Sequence, residues 1–270
     1  MTQTVLITGS STGIGKAAAK LFAQRGWNVV ATMRTPDKEA ELTASDRLML
    51  ARLDVTDPTS IQAAIDDAAA RFGKIDALVN NAGYGLYGTF ESMQPEQVRR
   101  QFDTNVFGLM EVSRRIIPHF RQHKAGTLIN VASMGGRLTF PLYSVYHATK
   151  WAVDGFTESL AFELSPLGIR VRLIEPGAIK TDFYTRSGEF VHDRALGEYN
   201  AFVDKVKRKY DRVATRGARP ELVAAAIFKA ATDGSRRLRY VVGQDARGLL
   251  LTRRLVPDTM FRSMIRSALA

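Results

Sequence analysis

Residues 4–15 read TVLITGSSTGIG, and this stretch decides the fold class. It begins with a short apolar run that is typical of a buried strand, and helical periodicity starts at its end. The three glycines between strand and helix let the backbone turn tightly and approach a pyrophosphate group. Free amides at the start of the helix would face the negative charge of that group. The stretch therefore predicts a dinucleotide-binding strand, loop and helix at the start of the chain.

Short β-branched runs and longer helical segments alternate along the rest of the chain. We predict strands at residues 4–8, 28–32, 48–53, 75–79, 127–131, 170–174 and 240–242, and helices at 14–25, 58–72, 95–122, 145–164 and 220–231. Strands separated by helical crossovers form a parallel sheet that is covered on both faces. The sequence therefore predicts an α/β fold, a doubly wound, mostly parallel sheet of the Rossmann type.

The chain has no linker-like segment and no internal repeat, so we predict one catalytic domain over residues 1–270. Residues 183–219 interrupt the alternation, because they are rich in charge and aromatics and too long for an ordinary connection. We interpret them as a helical substrate lid, with a surface decoration as the alternative. Residues 249–270 are predicted to form a C-terminal amphipathic extension. It is expected to cover the domain or a second subunit, while contact with an anionic membrane surface is the less favoured interpretation.

Composition excludes several classes of protein. The 270 residues are 45% apolar and 24% charged, as expected for a folded domain and not for a disordered one. The absence of cysteine rules out disulfides, thiolate metal sites and a cysteine nucleophile. No apolar run approaches the ~18 residues of a membrane span, and no basic leader precedes the first strand. We therefore expect a cytoplasmic protein.

The formal net charge of +11 raises the possibility of a nucleic-acid partner. The last 35 residues carry eight arginines and two aspartates, so more than half of the excess charge is C-terminal. A second basic cluster lies at residues 205–212. Neither region carries a helix-turn-helix or RNA-binding signature. We therefore expect no nucleic acid, and a solvated or substrate-facing role for the charge.

Tyr146 and Lys150 are four residues apart in a predicted helix, so both side chains lie on one face. A phenol ordinarily loses its proton near pH ~10. A nearby ammonium favours the phenolate and brings the pKa towards neutral pH. Such a tyrosine could give a proton to a developing alkoxide or remove one from an alcohol. By itself, the pair is equally typical of a helix surface.

Taken together, the motifs of this chain resemble those of the short-chain dehydrogenase/reductase family, in the family's order and over nearly the whole sequence. The matching motifs are T-G-x-x-x-G-x-G at residues 8–15, Asn80-Asn81-Ala82-Gly83, Ser133, Tyr146-x-x-x-Lys150, and Pro176-Gly177 with Thr181. The resemblance implies an oxidoreductase that transfers a hydride between a nicotinamide cofactor and a ketone, aldehyde or secondary alcohol. It also implies a homo-oligomer.

The resemblance implies four catalytic residues. Ser133 would hydrogen-bond the substrate oxygen, and Tyr146 would be the general acid/base. Lys150 would hold the ribose hydroxyls and polarise the tyrosine, while Asn105 would keep a proton-relay water in place. Separately, Ser133 could be a helix-end hydroxyl and Asn105 a buried amide satisfied by the backbone.

The end of the second predicted strand distinguishes NAD from NADP. An acidic residue there binds the ribose 2′-hydroxyl of NAD, whereas an arginine can bind the 2′-phosphate of NADP. Here Met33 occupies the acidic position and Arg34 follows, which predicts NADP(H); the alternative is that Arg34 is a surface arginine. By resemblance, Asp54 would contact the adenine amino group and Thr181 the nicotinamide carboxamide. The predicted cofactor-binding residues are Gly9, Ser11, Gly13, Ile14, Gly15, Arg34, Asp54, Asn81, Ala82, Gly83, Lys150, Pro176, Gly177 and Thr181.

Aromatic side chains near these motifs predict the substrate wall: Phe140, Tyr143, Phe183 and Tyr184. Such a lining favours a lipophilic carbonyl or alcohol, as in family members that act on steroids or retinoids, although the same residues could be core packing. His119 and His123 have the spacing of a helical metal pair but no third ligand nearby, so we expect no metal. The alternative function is a non-catalytic NADP-binding regulatory protein.

Overall fold

The computed structural model describes residues 2–181 and 187–269, with the side chains of 213–216 excepted. Its helices and strands in chain order are β1 (Thr4–Ile7), α1 (Gly13–Gln24), β2 (Asn28–Met33), β3 (Leu48–Arg52), α2 (Pro58–Phe72), β4 (Ala77–Asn80), β5 (Gly85–Gly88), α3 (Pro95–Phe102), α4 (Leu109–Gln122), β6 (Gly126–Val131), α5 (Ser144–Leu164), β7 (Ile169–Pro176), β8 (Gly188–Val191), α6 (Gly197–Arg216), α7 (Pro220–Thr232), β9 (Arg239–Val242), α8 (Gln244–Leu255) and α9 (Asp258–Leu269).

Seven of these strands form one parallel sheet in the order β3–β2–β1–β4–β6–β7–β9. The chain winds outward from β1 to β3, then returns to the other side of β1 with β4. In such sheets ligands bind outside the carboxyl ends of the strands, near this change of direction. The predicted doubly wound α/β fold is confirmed.

Two apolar layers cover the sheet. On one face, α1 and α7 pack through buried side chains such as Phe22 and Ile227. On the other face, α2, α4 and α5 pack through Ile61, Ile116 and Leu160. Because both faces are covered, the strands are buried almost throughout, which is why they read as apolar runs in the sequence.

The structure differs from the predicted elements in several places. Residues 95–122 form α3, a π-helical turn (Asp103–Gly108) and α4, and α4 continues through Pro118. The short strands β5 and β8 pair in parallel as a separate two-stranded sheet, which was not predicted. The helix α8 was also not predicted.

The predicted lid and C-terminal extension have defined positions. The described part of residues 183–219 contains β8 and α6, while Phe183 and Tyr184 lie outside the described residues. Residues 249–270 contain the second half of α8 and the whole of α9, and α6 packs against α9. In the part of the chain with assigned coordinates, no helix is both long and apolar enough to span a bilayer.

Candidate active site

A cavity of about 880 Å³, the central cavity, opens at the carboxyl ends of the central strands. Loops after β1, β2, β3, β4, β6 and β7 form its base. Helix α5 contributes Tyr146 and Lys150 to the wall. Helices α6, α8 and α9 close the other side through Tyr210, Leu249 and Ile265. The cavity therefore lies where the fold class places its ligands.

The glycines of the first loop bring three backbone segments together. Gly9 has a φ of +69°, and a Cβ there would lie 2.9 Å from the Cα of Ala82. A Cβ at Gly15 would lie 2.2 Å from the carbonyl oxygen of Gly9 and 2.5 Å from Nδ2 of Asn81. Gly15 is outside the cavity wall, so its contribution is this close packing. From this loop, Gly9, Ser11, Thr12, Gly13 and Ile14 line the central cavity.

Thr8 joins the first loop to the loop after β4, a role that the sequence analysis did not assign. Its Oγ1 accepts hydrogen bonds of 3.0 Å from the amides of Asn81 and Ala82. In return, Nδ2 of Asn81 donates to the carbonyl oxygens of Thr8 and Gly9, both at 3.0 Å. These bonds fix Asn81, Ala82 and Gly83 in the cavity wall.

The end of β2 places a free cation at the rim of the central cavity. Met33 is buried, and Arg34 is exposed and makes no ion pair or hydrogen bond with any residue that the structure describes. Asp54 also lines the cavity, and its Oδ1 accepts hydrogen bonds from the amide and hydroxyl of Thr56. Asp57, and not Asp54, caps α2. This end of the cavity therefore offers a guanidinium to an anion.

Ser133, Tyr146 and Lys150 all line the central cavity. Ser133 follows β6, and its Oγ accepts a 3.0 Å hydrogen bond from the amide of Gly135. Lys150 is buried; its Nζ donates to the carbonyl oxygen of Val131 at 3.1 Å and lies 5.7 Å from the centroid of the Tyr146 ring. Burial lowers the pKa of Lys150 to about 8, so the amine is still mostly protonated at pH 7. A cation is thus held beside the phenol.

Asn105 lies in the π-helical turn, behind the cavity wall. Its side-chain amide donates to the carbonyl oxygen of Tyr84 at 2.8 Å and to Oγ1 of Thr149 at 3.3 Å. Its Oδ1 accepts from the amide of Tyr84 at 3.0 Å. The π-helical insertion places this residue against the loop after β4 and against α5, directly before Lys150. In this arrangement the Asn105 side chain links the loop after β4 to α5 through hydrogen bonds.

The loop after β7 is held by an acidic residue that the sequence analysis did not single out. Oδ2 of Asp245, in the first turn of α8, accepts a 2.7 Å hydrogen bond from the amide of Ala178. A Cβ at Gly177 would lie 2.3 Å from Oδ1 of the same carboxylate, so a side chain there would displace Asp245 from this position. Pro176, Gly177 and Thr181 line the cavity beside it.

His147 connects the Ser133 loop to the substrate wall. Its Nε2 accepts a 3.0 Å hydrogen bond from the amide of Phe140, and Nδ1 lies 2.9 Å from the carbonyl oxygen of Gly135. These partners define a neutral ring with the proton on Nδ1. Burial lowers the pKa of His147 to about 4, which keeps the ring neutral at physiological pH. His147 therefore holds these two segments together through hydrogen bonds and does not act as a general acid.

We predict that His147 makes the fold acid-sensitive. In the unfolded chain the ring takes up a proton near pH ~6.5, but the folded protein resists protonation down to about 4. Stability is therefore lost as pH falls through this window, by up to about 3 kcal/mol. Denaturant unfolding at several pH values measures the free energy of unfolding. Its decrease between neutral pH and a pH of about 4 should be smaller in His147→Gln than in the unmodified protein. Equal losses in both proteins would contradict the assignment.

Aromatic rings form part of the wall of the central cavity. Tyr143 stacks on Tyr87 with 5.1 Å between centroids and contacts Tyr146 and Tyr210 edge to face. The hydroxyl of Tyr210 donates to the carbonyl oxygen of Pro141, which ties α6 to this wall. Both Phe140 and Tyr143 line the cavity. Lining residues that were not predicted from the sequence include Tyr84, Arg100, Met134, Glu189, Tyr210, Asp245, Leu249, Ile265 and Leu269.

The histidine pair has other partners. Nε2 of His119 accepts a 2.9 Å hydrogen bond from the amide of Ile75, and its ring lies 4.5 Å from that of His123. Among residues 2–181 and 187–269, no group of three potential metal-ligating side chains occurs.

Comparison with known proteins identifies the class. A sequence model of the family, described as short chain dehydrogenase, matches residues 3–191. An uncharacterised oxidoreductase of Schizosaccharomyces pombe is 37% identical over 85% of this chain and 96% of its own. A 3-ketodihydrosphingosine reductase of Bacteroides thetaiotaomicron is 31% identical over 98% of this chain and 97% of its own. The chain belongs to the short-chain dehydrogenase/reductase family of oxidoreductases.

Solved structures agree. A short-chain dehydrogenase of Streptomyces avermitilis superposes with a TM-score of 0.83 at 34% identity, covering 94% of this chain and 93% of that one. ElxO with NADP bound gives 0.76 at 26% identity, covering 92% and 100%. A 3-ketoacyl-(acyl-carrier-protein) reductase of Brucella melitensis complexed with NADH gives 0.73 at 31%, covering 88% and 96%. Similar proteins thus bind either nicotinamide cofactor.

Proposed function

We propose that this protein transfers a hydride between NADP(H) and a lipophilic ketone, aldehyde or secondary alcohol, with Tyr146 as the general acid/base. The observation that carries the proposal is the arrangement of the central cavity. Ser133, Tyr146 and Lys150 line the same cavity as the glycine loop and Arg34. A cofactor in this cavity could therefore contact the glycine loop with its phosphates and Tyr146 with its reacting ring.

The residues of the reacting end divide the work. The bound cofactor supplies or accepts the hydride. In carbonyl reduction, the Ser133 hydroxyl donates a hydrogen bond to the substrate oxygen, and the Tyr146 phenol gives that oxygen its proton. The Lys150 ammonium favours the phenolate that remains and binds the ribose hydroxyls. In alcohol oxidation the same proton moves back to Tyr146. Asn105, through its bonds to Tyr84 and Thr149, keeps the wall around Lys150 in place.

Arg34 supports NADP(H) over NAD(H). Since structures of similar proteins contain either cofactor, the choice rests on this chain's own residues. The position of the NAD-binding acid holds the buried Met33, and the guanidinium of Arg34 is available to a 2′-phosphate. Ser11 adds a hydroxyl in the same part of the cavity.

We predict that Arg34→Ala weakens NADPH binding by ~10- to 100-fold, because it removes a charge-assisted pair with the 2′-phosphate. NADH binding should change by less than ~3-fold, since NADH lacks that phosphate. Fluorescence titration of both cofactors measures the two dissociation constants. Arg25→Ala, an exposed arginine at the end of α1 outside the cavity lining, is the matched control. Equal losses for NADPH and NADH in Arg34→Ala would remove the NADP assignment.

The apolar part of the cavity lining supports a lipophilic substrate. This part consists of Phe140, Tyr143, Leu249, Ile265 and Leu269. The described part of the lid contributes Tyr210, consistent with a helical cover over the substrate. The similar Bacteroides protein is named as a 3-ketodihydrosphingosine reductase, which agrees with this lining. Exposed Phe107, Trp151 and Phe162 support a homo-oligomer.

A carbonyl panel tests the proposed function. The protein is incubated with NADPH and a series of lipophilic and polar ketones, and cofactor absorbance is followed. Consumption that favours the lipophilic ketones supports the proposal. Tight NADPH binding without turnover of any ketone or alcohol would instead support the non-catalytic regulatory protein.

A further inference from the structure

The outward face of α8 carries alternating arginines and leucines. Arg247, Leu251, Arg254 and Leu255 follow the i, i+4, i+7, i+8 spacing of one helical stripe. Leu251 is 58% exposed and Leu255 71% exposed, although the chain buries most of its leucines. Nothing in the proposed chemistry uses this stripe, and none of its residues lines the central cavity.

Helix α9 also exposes methionine and arginine side chains, which are two residues apart and therefore lie on different sides of the helix. Met260 and Met264 of α9 are 55% and 45% exposed, and Arg262 and Arg266 are also exposed. We call the exposed leucine, methionine and arginine residues of the two helices the C-terminal face. It consists of Arg247, Leu251, Arg254, Leu255, Met260, Arg262, Met264 and Arg266.

The arginines of the C-terminal face have no acidic partner among the described residues. Within the described part of the molecule, none of its four guanidinium groups makes an ion pair. The two acids of α8 and α9 are used elsewhere: Asp245 binds the amide of Ala178, and Asp258 pairs with Arg253. Lys209 of the basic cluster on α6 donates to the carbonyl oxygen of Ala268, so a second basic segment lies beside α9.

The inner side of the same two helices is firmly packed. Phe261 and Leu250 are buried against Leu138, in the loop that follows Ser133. Leu249 and Ile265 face the central cavity. The pair of helices is therefore a fixed wall, with the cavity on one side and the C-terminal face on the other.

We propose that the C-terminal face docks reversibly on an anionic lipid surface. Exposed leucine and methionine side chains enter the acyl boundary, while the arginines extend to lipid phosphates. A second copy of the chain docked through the same face would bring the same four cations to the contact, which like-charge repulsion opposes. Exposed leucines would not contribute to binding a nucleic acid. Base stacking needs exposed aromatic rings, and the only aromatic residue of α8 and α9, Phe261, is buried.

Vesicle co-sedimentation of the full chain tests the proposal. Vesicles of phosphatidylcholine with roughly a quarter phosphatidylserine should bind the protein. Its affinity for pure phosphatidylcholine vesicles should be lower by at least ~10-fold. Binding should be lost at ~1 M salt. Leu251→Glu/Leu255→Glu should weaken binding ~10-fold or more, and Arg247→Gln/Arg254→Gln should do the same.

The matched control replaces two exposed leucines elsewhere on the surface, Leu167→Glu/Leu222→Glu, and should bind like the unmodified chain. Circular dichroism and the thermal midpoint verify that each variant is folded. Three results would overturn the proposal: no binding to the anionic vesicles, equal binding to neutral ones, or unchanged binding by Leu251→Glu/Leu255→Glu. A lipid-free dimer that Leu251→Glu/Leu255→Glu disperses would show that a second copy covers the face instead. Because binding is measured without turnover, the result is independent of the proposed function.

Discussion

Replacing Tyr146 by phenylalanine should reduce carbonyl reduction ~10³-fold while leaving NADPH binding within ~2-fold. The substitution removes one hydroxyl from a half-buried ring and keeps the edge-to-face contact with Tyr143, so the wall should keep its shape. What is lost is the only phenol held beside the buried cation of Lys150 at the reacting end among the described residues. Steady-state turnover with the best ketone of the panel measures the effect.

Tyr199→Phe is the control for Tyr146→Phe. It removes a hydroxyl that donates to Glu91 on the surface, away from the central cavity. Turnover of this variant should match that of the unmodified protein. If Tyr146→Phe retained turnover within ~10-fold, the acid/base would have to be another group.

Replacing Lys150 by methionine should reduce turnover ~10²-fold or more and change its pH dependence. The buried ammonium favours the phenolate, so its removal should move the apparent pKa of alcohol oxidation upward, towards the phenol's ordinary value of ~10. Methionine fills a similar volume, and the carbonyl oxygen of Val131 loses one donor. The pH profile of kcat/KM, recorded for both proteins, separates this effect from a general loss of structure.

Lys229→Met, at an exposed position of α7, serves as the control and should leave the profile unchanged. A lower rate with an unshifted profile in Lys150→Met would mean that the lysine positions the cofactor but does not tune the tyrosine.

The central sheet could be predicted because its signals are local. Buried parallel strands appear as apolar runs, and α1, α2, α5 and α7 have the periodicity of packed helices. The π-helical turn at 103–108 could not be read in this way, since no composition rule separates it from the α-helix around it. Strands β5 and β8 are four residues long and contain glycine, and α8 contains Gly248, so their local signals are weak.

In the candidate site too, features with local sequence signals could be predicted, and features that depend on distant residues could not. The spacing of Tyr146 and Lys150 and the position of Ser133 after a strand are short-range features, and the cavity contains all three. Thr8 and Asp245 were missed because their partners are distant in sequence: Thr8 binds Asn81 across 73 residues and Asp245 binds Ala178 across 67. Ile265 and Leu269 lie in the predicted C-terminal amphipathic extension, but only the tertiary structure brings them to the cavity.

Transfer of an isotopic label tests the central claim most directly. The protein is incubated with a lipophilic ketone and NADPH that carries deuterium at the transferable position of the dihydropyridine ring, and the alcohol is analysed by mass spectrometry. Hydride transfer beside Tyr146 predicts one deuterium at the carbinol carbon, and formation of this product ~10³-fold more slowly by Tyr146→Phe. An alcohol without deuterium, or labelled alcohol formed equally well by Tyr146→Phe, would contradict the account.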